Sequence, residues 1–259
     1  MRVLICQDAE TAALRTADQL CDQVQARPDC VLGLATGETM EPVYALLRTR
    51  IATRQLNLLQ VTTFNLDEYV GLPKGHPESY RATMQRLLFD SAGLPEKQIH
   101  LPDGDAPDLV AAAANYEAAI RAAGGIDLQL LGIGENGHIG FNEPTSSLGS
   151  RTRVKTLTQS TRKANARFFS NNGEAPLFAI TMGIATVLDA RCCILLATGP
   201  KKAAAIAAAI EGPVSAVCPA SALQLHPAAT IILDPEAATE LKLQSYYKTV
   251  HPSGGDALF

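Results

Sequence analysis

Short apolar runs alternate with helix-like segments along most of this chain, and this alternation constrains its fold more than any other feature. Each run ends in glycine or polar residues; the runs are VLICQ (3–7), CVLGLATG (30–37), VTTFNLDEY (61–69), DLQLLGIG (127–134), CCILLATG (192–199) and ATIILD (229–234). Continuous apolarity is typical of strands covered on both faces. The segments between them have the apolar spacing of amphipathic helices and lie at 9–26, 78–89, 106–123 and 201–211.

Strands and helices that alternate in this way predict an α/β fold with a mostly parallel sheet and helices on both faces. With 259 residues and 47% hydrophobic content, the chain can bury the core of one large domain, so we expect a single catalytic domain over 1–259. The end of the chain, 243–259, is predicted to be loosely held. Ligands of such sheets bind at the carboxyl ends of the strands, so function is sought in the loops that follow them.

Composition excludes several classes of partner. A net charge of -4 and a pI near 5.7 argue against binding to nucleic acid or to an acidic membrane surface. No stretch approaches the roughly 18 apolar residues of a membrane span, so a cytoplasmic protein is expected. The six cysteines show no C-x-x-C spacing and are interpreted as buried free thiols.

The loop GIGENGHIGFNEP (132–144) contains the spacing G-x-G-x-x-G, which suggests a dinucleotide site. That site requires a helix that opens within the glycines and an acidic residue about 20 positions later. Here the glycines lead into His138, Gly140 and Pro144, which resist helix formation, and residues 145–173 contain no Asp or Glu. The dinucleotide interpretation is therefore disfavoured.

This loop instead places His138 between Asn136 and Glu143. Histidine takes and returns a proton near neutral pH, and a nearby carboxylate raises its basicity and fixes its tautomer. A second acidic pair, Asp67 and Glu68, lies at the end of another apolar run. Only one of the two should face the cleft, where partial desolvation would raise its pKa and make it a base towards a carbon acid.

The tetrapeptide LATG occurs at 34–37 and again at 196–199, each time at the end of a predicted strand and before a helix. In the first copy Thr36, Gly37 and Thr39 can offer amides and hydroxyls to a phosphate. The second copy is followed by Lys201 and Lys202, which oppose the helix dipole unless an anion lies nearby. The alternatives are a phosphorylated ligand, or two tight turns beside a solvated lysine pair.

The segment 145–173 is strongly basic in an acidic protein and is either a solvated face or an anion-binding lid. Its cations are Arg151, Arg153, Lys155, Arg162, Lys163 and Arg167. The five histidines are scattered and show no metal-ligand spacing, and neither a P-loop nor a G-x-S-x-G elbow is present. The residues together predict acid–base chemistry on a phosphorylated small molecule without metal or cofactor.

The segments VTTFNLDEYVGLPKGHPESY (61–80), LLGIGENGHIGFNEPTSSLGSRTRVKTLT (130–158), TRKANARFF (161–169) and GPKKAAAIAAAIEG (199–212) resemble the glucosamine-6-phosphate deaminase family. The resemblance runs in order from the first strand to about residue 242. It implies a sheet of modified Rossmann-like type and an enzyme that converts glucosamine 6-phosphate and water to fructose 6-phosphate and ammonia, without a cofactor.

The same resemblance implies roles for individual residues. Asp67 would move the proton between carbons 2 and 1 of the opened sugar. His138 would open the ring, with Glu143 orienting it and sharing its charge. Asn136 stands where some members have Asp, so Glu143 should carry more of that task here. The implied phosphate site comprises Thr36, Gly37, Glu38, Thr39, Arg167 and Lys202, in which Glu38 departs from the small residue usual in the family.

Regulation and assembly stay open at this point. Some family members are hexamers activated by N-acetylglucosamine 6-phosphate, and Ser146, Arg153 and Lys155 fall on the positions of that allosteric site. Other members are smaller assemblies, so a homo-oligomer is allowed rather than required. The alternative functions are a galactosamine-6-phosphate deaminase, another sugar-phosphate enzyme of this fold such as a 6-phosphogluconolactonase, and a non-catalytic sugar-phosphate-binding regulator.

Overall fold

A seven-stranded parallel sheet flanked by helices forms the body of the protein, as the alternating sequence pattern predicts. The computed structural model describes residues 1–73, 75–166, 169 and 175–255. The strand order is β1-β10-β9-β6-β2-β3-β5. These strands are Arg2–Ile5 (β1), Val31–Leu34 (β2), Thr62–Asn65 (β3), Ile99–His100 (β5), Leu128–Leu131 (β6), Cys192–Ala197 (β9) and Ala229–Leu233 (β10).

A small antiparallel sheet of three strands lies next to the main sheet. Its order is β4-β8-β7, and its strands are Asp67–Tyr69 (β4), Arg153–Thr156 (β7) and Phe178–Thr181 (β8). Tyr69, Phe141, Leu157 and Ala179 form a separate hydrophobic cluster under it. The prediction of one strand over 61–69 is therefore wrong in one respect. The chain leaves the main sheet after Asn65, and Asp67 pairs with Thr181 in the small sheet.

Within the described residues, helical segments connect the strands. The α-helices are Ala9–Ala26 (α1), Met40–Thr53 (α2), Tyr80–Met84 (α3), Asp90–Ala92 (α4), Leu109–Ala122 (α5), Gln159–Ala166 (α6), Ile184–Leu188 (α7), Ala203–Ile210 (α8) and Gln244–Val250 (α9). A π-helical turn, Gln85–Phe89, joins α3 to α4. The 3-10 turns are Glu96–Gln98, Pro200–Lys202, Pro219–Leu225 and Pro252–Gly254.

Local signals in the sequence explain where the long helices begin. Asp8 precedes α1 and its carboxylate accepts a hydrogen bond from the Thr11 amide at 2.7 Å. Asp108 precedes α5 and accepts from the amides of Val110 and Ala111 at 3.0 and 2.9 Å. Such caps satisfy backbone donors that a helix leaves free in its first turn.

The C-terminal segment 243–259 is predicted to be loosely held, and the structure describes it as far as residue 255. It contains α9, and His251 and Gly254 are buried. A Cβ atom at Gly254 would lie 2.8 Å from the Cys6 sulfur, so the segment rests closely on the N-terminal strand. Residues 256–259 lie outside the described residues, and the prediction of a loosely held tail stays a prediction.

All six cysteines lie in the described part of the chain and are free thiols, and five of them are buried. This confirms the interpretation of the cysteines as buried thiols, with Cys192 alone partly exposed. In the described residues, every helix is too short or too polar to cross a membrane.

Candidate active site

The candidate residues come together at the carboxyl ends of four neighbouring strands, β9, β6, β2 and β3. The turn 36–39 follows β2, Asp67 follows β3, the loop 132–143 follows β6, and the turn 199–202 follows β9. Parallel strands end at one edge of the sheet, which is why segments distant in sequence meet there.

Asp67 is the first residue of β4 and is buried, with 6% of its surface exposed. Its Oδ2 atom accepts a long hydrogen bond of 3.4 Å from the Thr181 hydroxyl. Burial, and after it the negative charge of Glu68, raise the pKa of Asp67 to about 7, and hydrogen bonds from Thr181 and from the Phe141 amide offset only part of this. A carboxyl group with such a pKa can take a proton from a carbon acid and return it at neutral pH.

Glu68 has a different task from its neighbour. Its carboxylate accepts hydrogen bonds of 2.8 to 2.9 Å from the amides of Tyr69, Tyr80 and Arg81. It therefore caps the start of α3. This agrees with the expectation that one of the two adjacent acids serves the cleft.

The loop after β6 wraps tightly around His138 instead of opening a helix. The Gly134 amide donates to the His138 carbonyl at 2.9 Å, and a Cβ atom at Gly134 would lie only 2.2 Å from His138 Cε1. Glycine is needed there because the imidazole ring occupies the space of a side chain. Of the glycines that mimic a nucleotide fingerprint, Gly134 thus makes room for the histidine.

His138, Asn136 and Glu143 form one hydrogen-bonded group. Asn136 Nδ2 donates to Glu143 Oε2 at 2.8 Å, and His138 Nδ1 lies 3.4 Å from the same oxygen. Burial alone would raise the pKa of Glu143, but the contact with His138 and its charge, and hydrogen bonds from Thr161 and Asn136, lower it to about 2. Glu143 is therefore a permanent anion beside the imidazole, whereas Asn136 contacts Glu143 and not the ring.

The loop also passes directly beside Asp67. Gly140 has a φ of +52°, and a Cβ atom there would lie 3.2 Å from Asp67 Oδ2 and 3.0 Å from the Thr181 hydroxyl oxygen. The base candidate and the histidine loop therefore share one site. This juxtaposition of two acid–base groups could not be read from their separation in sequence.

The turn after β2 offers partly exposed groups at the same edge. Thr36 and Thr39 are partly exposed and Gly37 and Glu38 are exposed. The Thr36 side chain lies close enough to the Tyr80 hydroxyl to oppose, in small part, the rise that burial causes in the pKa of Tyr80. The turn thus lies against a residue that also contacts the Asp67 side of the cleft, since Tyr80 donates to the Tyr69 hydroxyl at 3.2 Å.

Lys202, which follows the second LATG turn, lies near the first LATG turn. The residue is partly buried, and this burial, with the like charge of Lys201, lowers the pKa of its ammonium. Glu135 and Glu38 act in the opposite direction, so both carboxylates lie within electrostatic range of the ammonium. Arg167, the remaining phosphate candidate, lies outside the described residues.

The basic segment 145–173 is partly tied to acids from elsewhere in the chain. Arg151 donates to Asp189 at 2.5 Å and lies 3.5 Å from Glu117. The segment 145–173 contains no Asp or Glu, but Arg151 pairs with acids from other parts of the chain. Arg153 donates to the Asn142 side chain at 2.8 Å, which links the allosteric candidates to the loop that carries Glu143.

Of the other two allosteric candidates, Lys155 lies on the same strand as Arg153, and Ser146 belongs to the loop before it. Arg153 and Lys155 are alternate residues of β7 and so share one face of the strand. Ser146 is 2% exposed, and its hydroxyl has no hydrogen-bond partner among the described residues. A buried hydroxyl without a partner marks a place where a ligand group or water could bind.

Two kinds of site residue escape the sequence analysis. Thr158 and Thr161 donate their hydroxyls to Glu143, and Tyr80 bridges the Thr36 turn to Tyr69. For Thr158 the one sequence signal is its position three residues before Thr161, the spacing of an N-cap threonine, although no helix is predicted there from the sequence. Over the described ranges, no three His, Cys, Asp or Glu residues are grouped so that they could hold a metal ion.

Comparisons with known proteins extend over almost the whole chain. The family model described as glucosamine-6-phosphate isomerases/6-phosphogluconolactonase matches residues 7–232. A glucosamine-6-phosphate deaminase of Hahella chejuensis is 53% identical over 250 residues, 96% of this chain and 95% of its own length. One from Streptomyces coelicolor is 50% identical over 249 residues, 96% of this chain and 95% of its own length.

Solved structures give the same fold. A monomeric glucosamine-6-phosphate deaminase is 43% identical, with a TM-score of 0.90 over 93% of this chain and 100% of that chain. The 6-phosphogluconolactonase of Trypanosoma cruzi is 20% identical, with a TM-score of 0.75 over 93% of this chain and 97% of that chain. The latter similarity concerns the fold alone.

Proposed function

Because this chain belongs to the family of glucosamine-6-phosphate isomerases and 6-phosphogluconolactonases, we propose that it is an amino-sugar-phosphate deaminase with isomerase chemistry. It converts glucosamine 6-phosphate and water to fructose 6-phosphate and ammonia. The observation that carries this function is the position of the buried Asp67 carboxyl beside the loop of His138 and Glu143. The site thus has one group for each of two proton transfers.

The first proton transfer opens the sugar ring. His138 takes the proton from the anomeric hydroxyl and returns it to the ring oxygen as the bond from carbon 1 to that oxygen breaks. Glu143 holds the imidazole and stabilises its cation, since the carboxylate keeps its charge at all pH values well above about 2. Asn136 fixes the carboxylate by its hydrogen bond of 2.8 Å.

The second proton transfer moves the double bond. Asp67 removes the proton from carbon 2 of the open aldehyde and delivers it to carbon 1, while the oxygen on carbon 1 gains one proton and the amine nitrogen loses one. The product is an imine at carbon 2; water adds to this carbon and ammonia leaves, which gives the ketone. Binding of the distant phosphate by Lys202 and the turn 36–39 positions the reacting carbons over Asp67. Arg167 is proposed as a further phosphate ligand on the resemblance alone.

Asp67 is expected to set the acid limb of the pH profile. The group acts as a base only when ionised, and its pKa is raised to about 7, first by burial and then by the charge of Glu68. We therefore expect kcat/KM to rise with pH and to level off above about 7, as measured by ammonia release with substrate below KM. A profile that stays flat from pH 5 to 8 would contradict this assignment.

Lys202→Ala should raise KM by about ten- to a hundred-fold, the value of one charge-assisted hydrogen bond, and should change kcat much less. The exposed neighbour gives a matched control, since Lys201→Ala removes the same charge one residue away. Steady-state kinetics of both variants check the assignment. If KM changed equally in the two, the phosphate would not be held by Lys202 in particular.

The main alternative is a lactonase or a deaminase of the other hexosamine. Lactone hydrolysis requires no base over carbon 2, so the buried Asp67 favours the deaminase. The test is ammonia release from glucosamine 6-phosphate and galactosamine 6-phosphate, beside hydrolysis of 6-phosphogluconolactone. Turnover of the lactone without release of ammonia from either sugar would overturn the proposal.

The same ammonia-release assay also tests regulation. An effect of added N-acetylglucosamine 6-phosphate on the rate would support an allosteric site at Ser146, Arg153 and Lys155.

The free thiols support a reducing, cytoplasmic location for the enzyme. We further propose that the whole chain acts as one catalytic domain, with 145–173 as a basic lid over the phosphate.

A further inference from the structure

The helix α6 meets the catalytic loop through two threonine hydroxyls. Thr158 immediately precedes α6 and donates to Glu143 Oε1 at 3.1 Å, and Thr161, in the first turn of the helix, donates to the same oxygen. The other carboxylate oxygen, Oε2, accepts from Asn136 and lies near His138. The two oxygens of Glu143 thus have separate partners, with α6 on one side and the histidine loop on the other.

This contact is shielded from water. Glu143 is 4% exposed and Thr161 is 7% exposed. Thr158 also accepts a hydrogen bond from the Thr161 amide at 3.3 Å, so its side chain holds the start of the helix and the carboxylate together. A hydrogen bond to a buried anion is stronger than one at the surface, because water cannot replace the lost donor.

The same helix is anchored a second time on the Asp67 side of the site. Asn165 lies one turn after Thr161, on the same face, and its Nδ2 donates to the Tyr69 hydroxyl at 2.9 Å. Tyr69 is two residues from Asp67 on β4. The face of α6 with Thr161 and Asn165 therefore bridges the two halves of the site, which fixes the helix relative to both acid–base groups.

We propose that Thr161, assisted by Thr158, is a positioning residue for ring opening, which fixes Glu143 Oε1 so that Oε2 stays directed at His138. This inference rests on the proposed function, since it concerns the ring-opening group of that reaction. The 3.1 Å hydrogen bond from Thr158 alone would hold Oε1 less firmly, and the carboxylate would be freer to rotate about its terminal bond. Without the Thr161 hydroxyl, Glu143 would spend less time in the orientation that supports the imidazole, although its charge would remain.

The test compares three variants of the full chain. Thr161→Val keeps the shape of the side chain and removes the hydroxyl, and Thr161→Ser keeps the hydroxyl. Thr186→Val is the matched control, because Thr186 donates to another buried carboxylate, that of Glu117, at 2.5 Å. The control therefore loses a similar hydrogen bond at a carboxylate outside the site.

Three readouts separate positioning from a loss of stability. The first is kcat and KM for glucosamine 6-phosphate, and the second is the affinity for 2-amino-2-deoxyglucitol 6-phosphate, an open-chain analogue that cannot cyclise. The third is the pKa of Glu143, followed by NMR of a carbon-13-labelled carboxyl group without substrate. The charge of His138 also lowers the pKa of this carboxyl group, so the titration of His138 is followed beside it.

We expect Thr161→Val to lower kcat about ten-fold, the effect of one hydrogen bond to a charged group, with KM and the affinity for the open-chain analogue within two-fold of the parent. The pKa of Glu143 should rise, and Thr161→Ser should restore most of kcat. Thr186→Val should melt at a lower temperature with kcat unchanged.

The inference is overturned if Thr161→Val and Thr186→Val have the same kcat, or if Thr161→Ser is as slow as the valine variant. It is also overturned if the loss appears in the affinity for the open-chain analogue instead of in kcat. A failure of the proposed function would look different, because the unmodified protein would then release no ammonia.

Discussion

Replacing Asp67 by Asn is expected to lower kcat for glucosamine 6-phosphate by about a thousand-fold or more, the usual contribution of a well-placed general base. Asparagine keeps the size of the side chain but cannot accept a proton from carbon 2. The substrate should still bind, because its phosphate is held by groups of other loops, among them Lys202. Ammonia release and the affinity for an open-chain analogue measure the two effects separately.

The same substitution should not weaken the fold. The pKa of Asp67 is raised in the folded state to about 7, first by burial. The protonated form is therefore the more stable one in the fold, and stability is lost as the pH rises from the ordinary pKa of an aspartate through about 7. Neutral asparagine avoids this loss, which amounts to at most about 4 kcal/mol above pH 7 at about 1.4 kcal/mol per pKa unit.

At pH 8 we therefore expect the Tm of Asp67→Asn to be equal to or higher than that of the parent. A variant that has lost activity and gained stability is typical of a strained catalytic residue. An inactive variant with a much lower Tm would instead indicate that Asp67 supports the fold. Near-normal ammonia release from a well-folded variant would remove Asp67 from the role of base.

Replacing His138 by Gln should produce the second largest effect, a loss of about a hundred-fold in kcat/KM for the cyclic sugar. Glutamine can fill the space against Gly134 and form hydrogen bonds, but it does not carry a proton between the anomeric hydroxyl and the ring oxygen. The loss should be confined to ring opening, because the proton on carbon 2 is moved by Asp67.

The 5-deoxy analogue of glucosamine 6-phosphate, which keeps the aldehyde but lacks the hydroxyl that closes the pyranose ring, provides the internal control for His138→Gln. The variant should process this compound at nearly the rate of the parent, measured by ammonia release under the same conditions. Equal losses on the cyclic and the open-chain compounds would count against ring opening and would place His138 in a later step.

Much of the fold follows from the sequence because buried parallel strands have a distinctive pattern. The six apolar runs each overlap a strand of the main sheet, and α1 begins and ends at the predicted residues. The strand β5 has two residues, too few to form an apolar run. Strands β7 and β8 belong to a small sheet that the sequence does not predict, since β7 is partly exposed and carries Arg153 and Lys155.

The acid–base residues could also be proposed from sequence, but their contacts could not. Glycines around His138 and the adjacent acids at 67 and 68 indicate where chemistry is concentrated. The sequence does not show that Gly140 lies against Asp67, because that contact depends on the order of strands in the sheet. It also does not show that Thr161 supports Glu143, since a threonine in a helix usually has a purely structural role.

The most direct test of the account uses glucosamine 6-phosphate with deuterium at carbon 2. Incubated with the parent protein, the label should leave carbon 2 and appear at carbon 1 of fructose 6-phosphate or in water. With Asp67→Asn the label should stay at carbon 2 during an incubation in which the parent exchanges it completely. Loss of the label at a similar rate in both proteins would show that another group removes this proton, and would contradict the assignment of Asp67 on which the account depends.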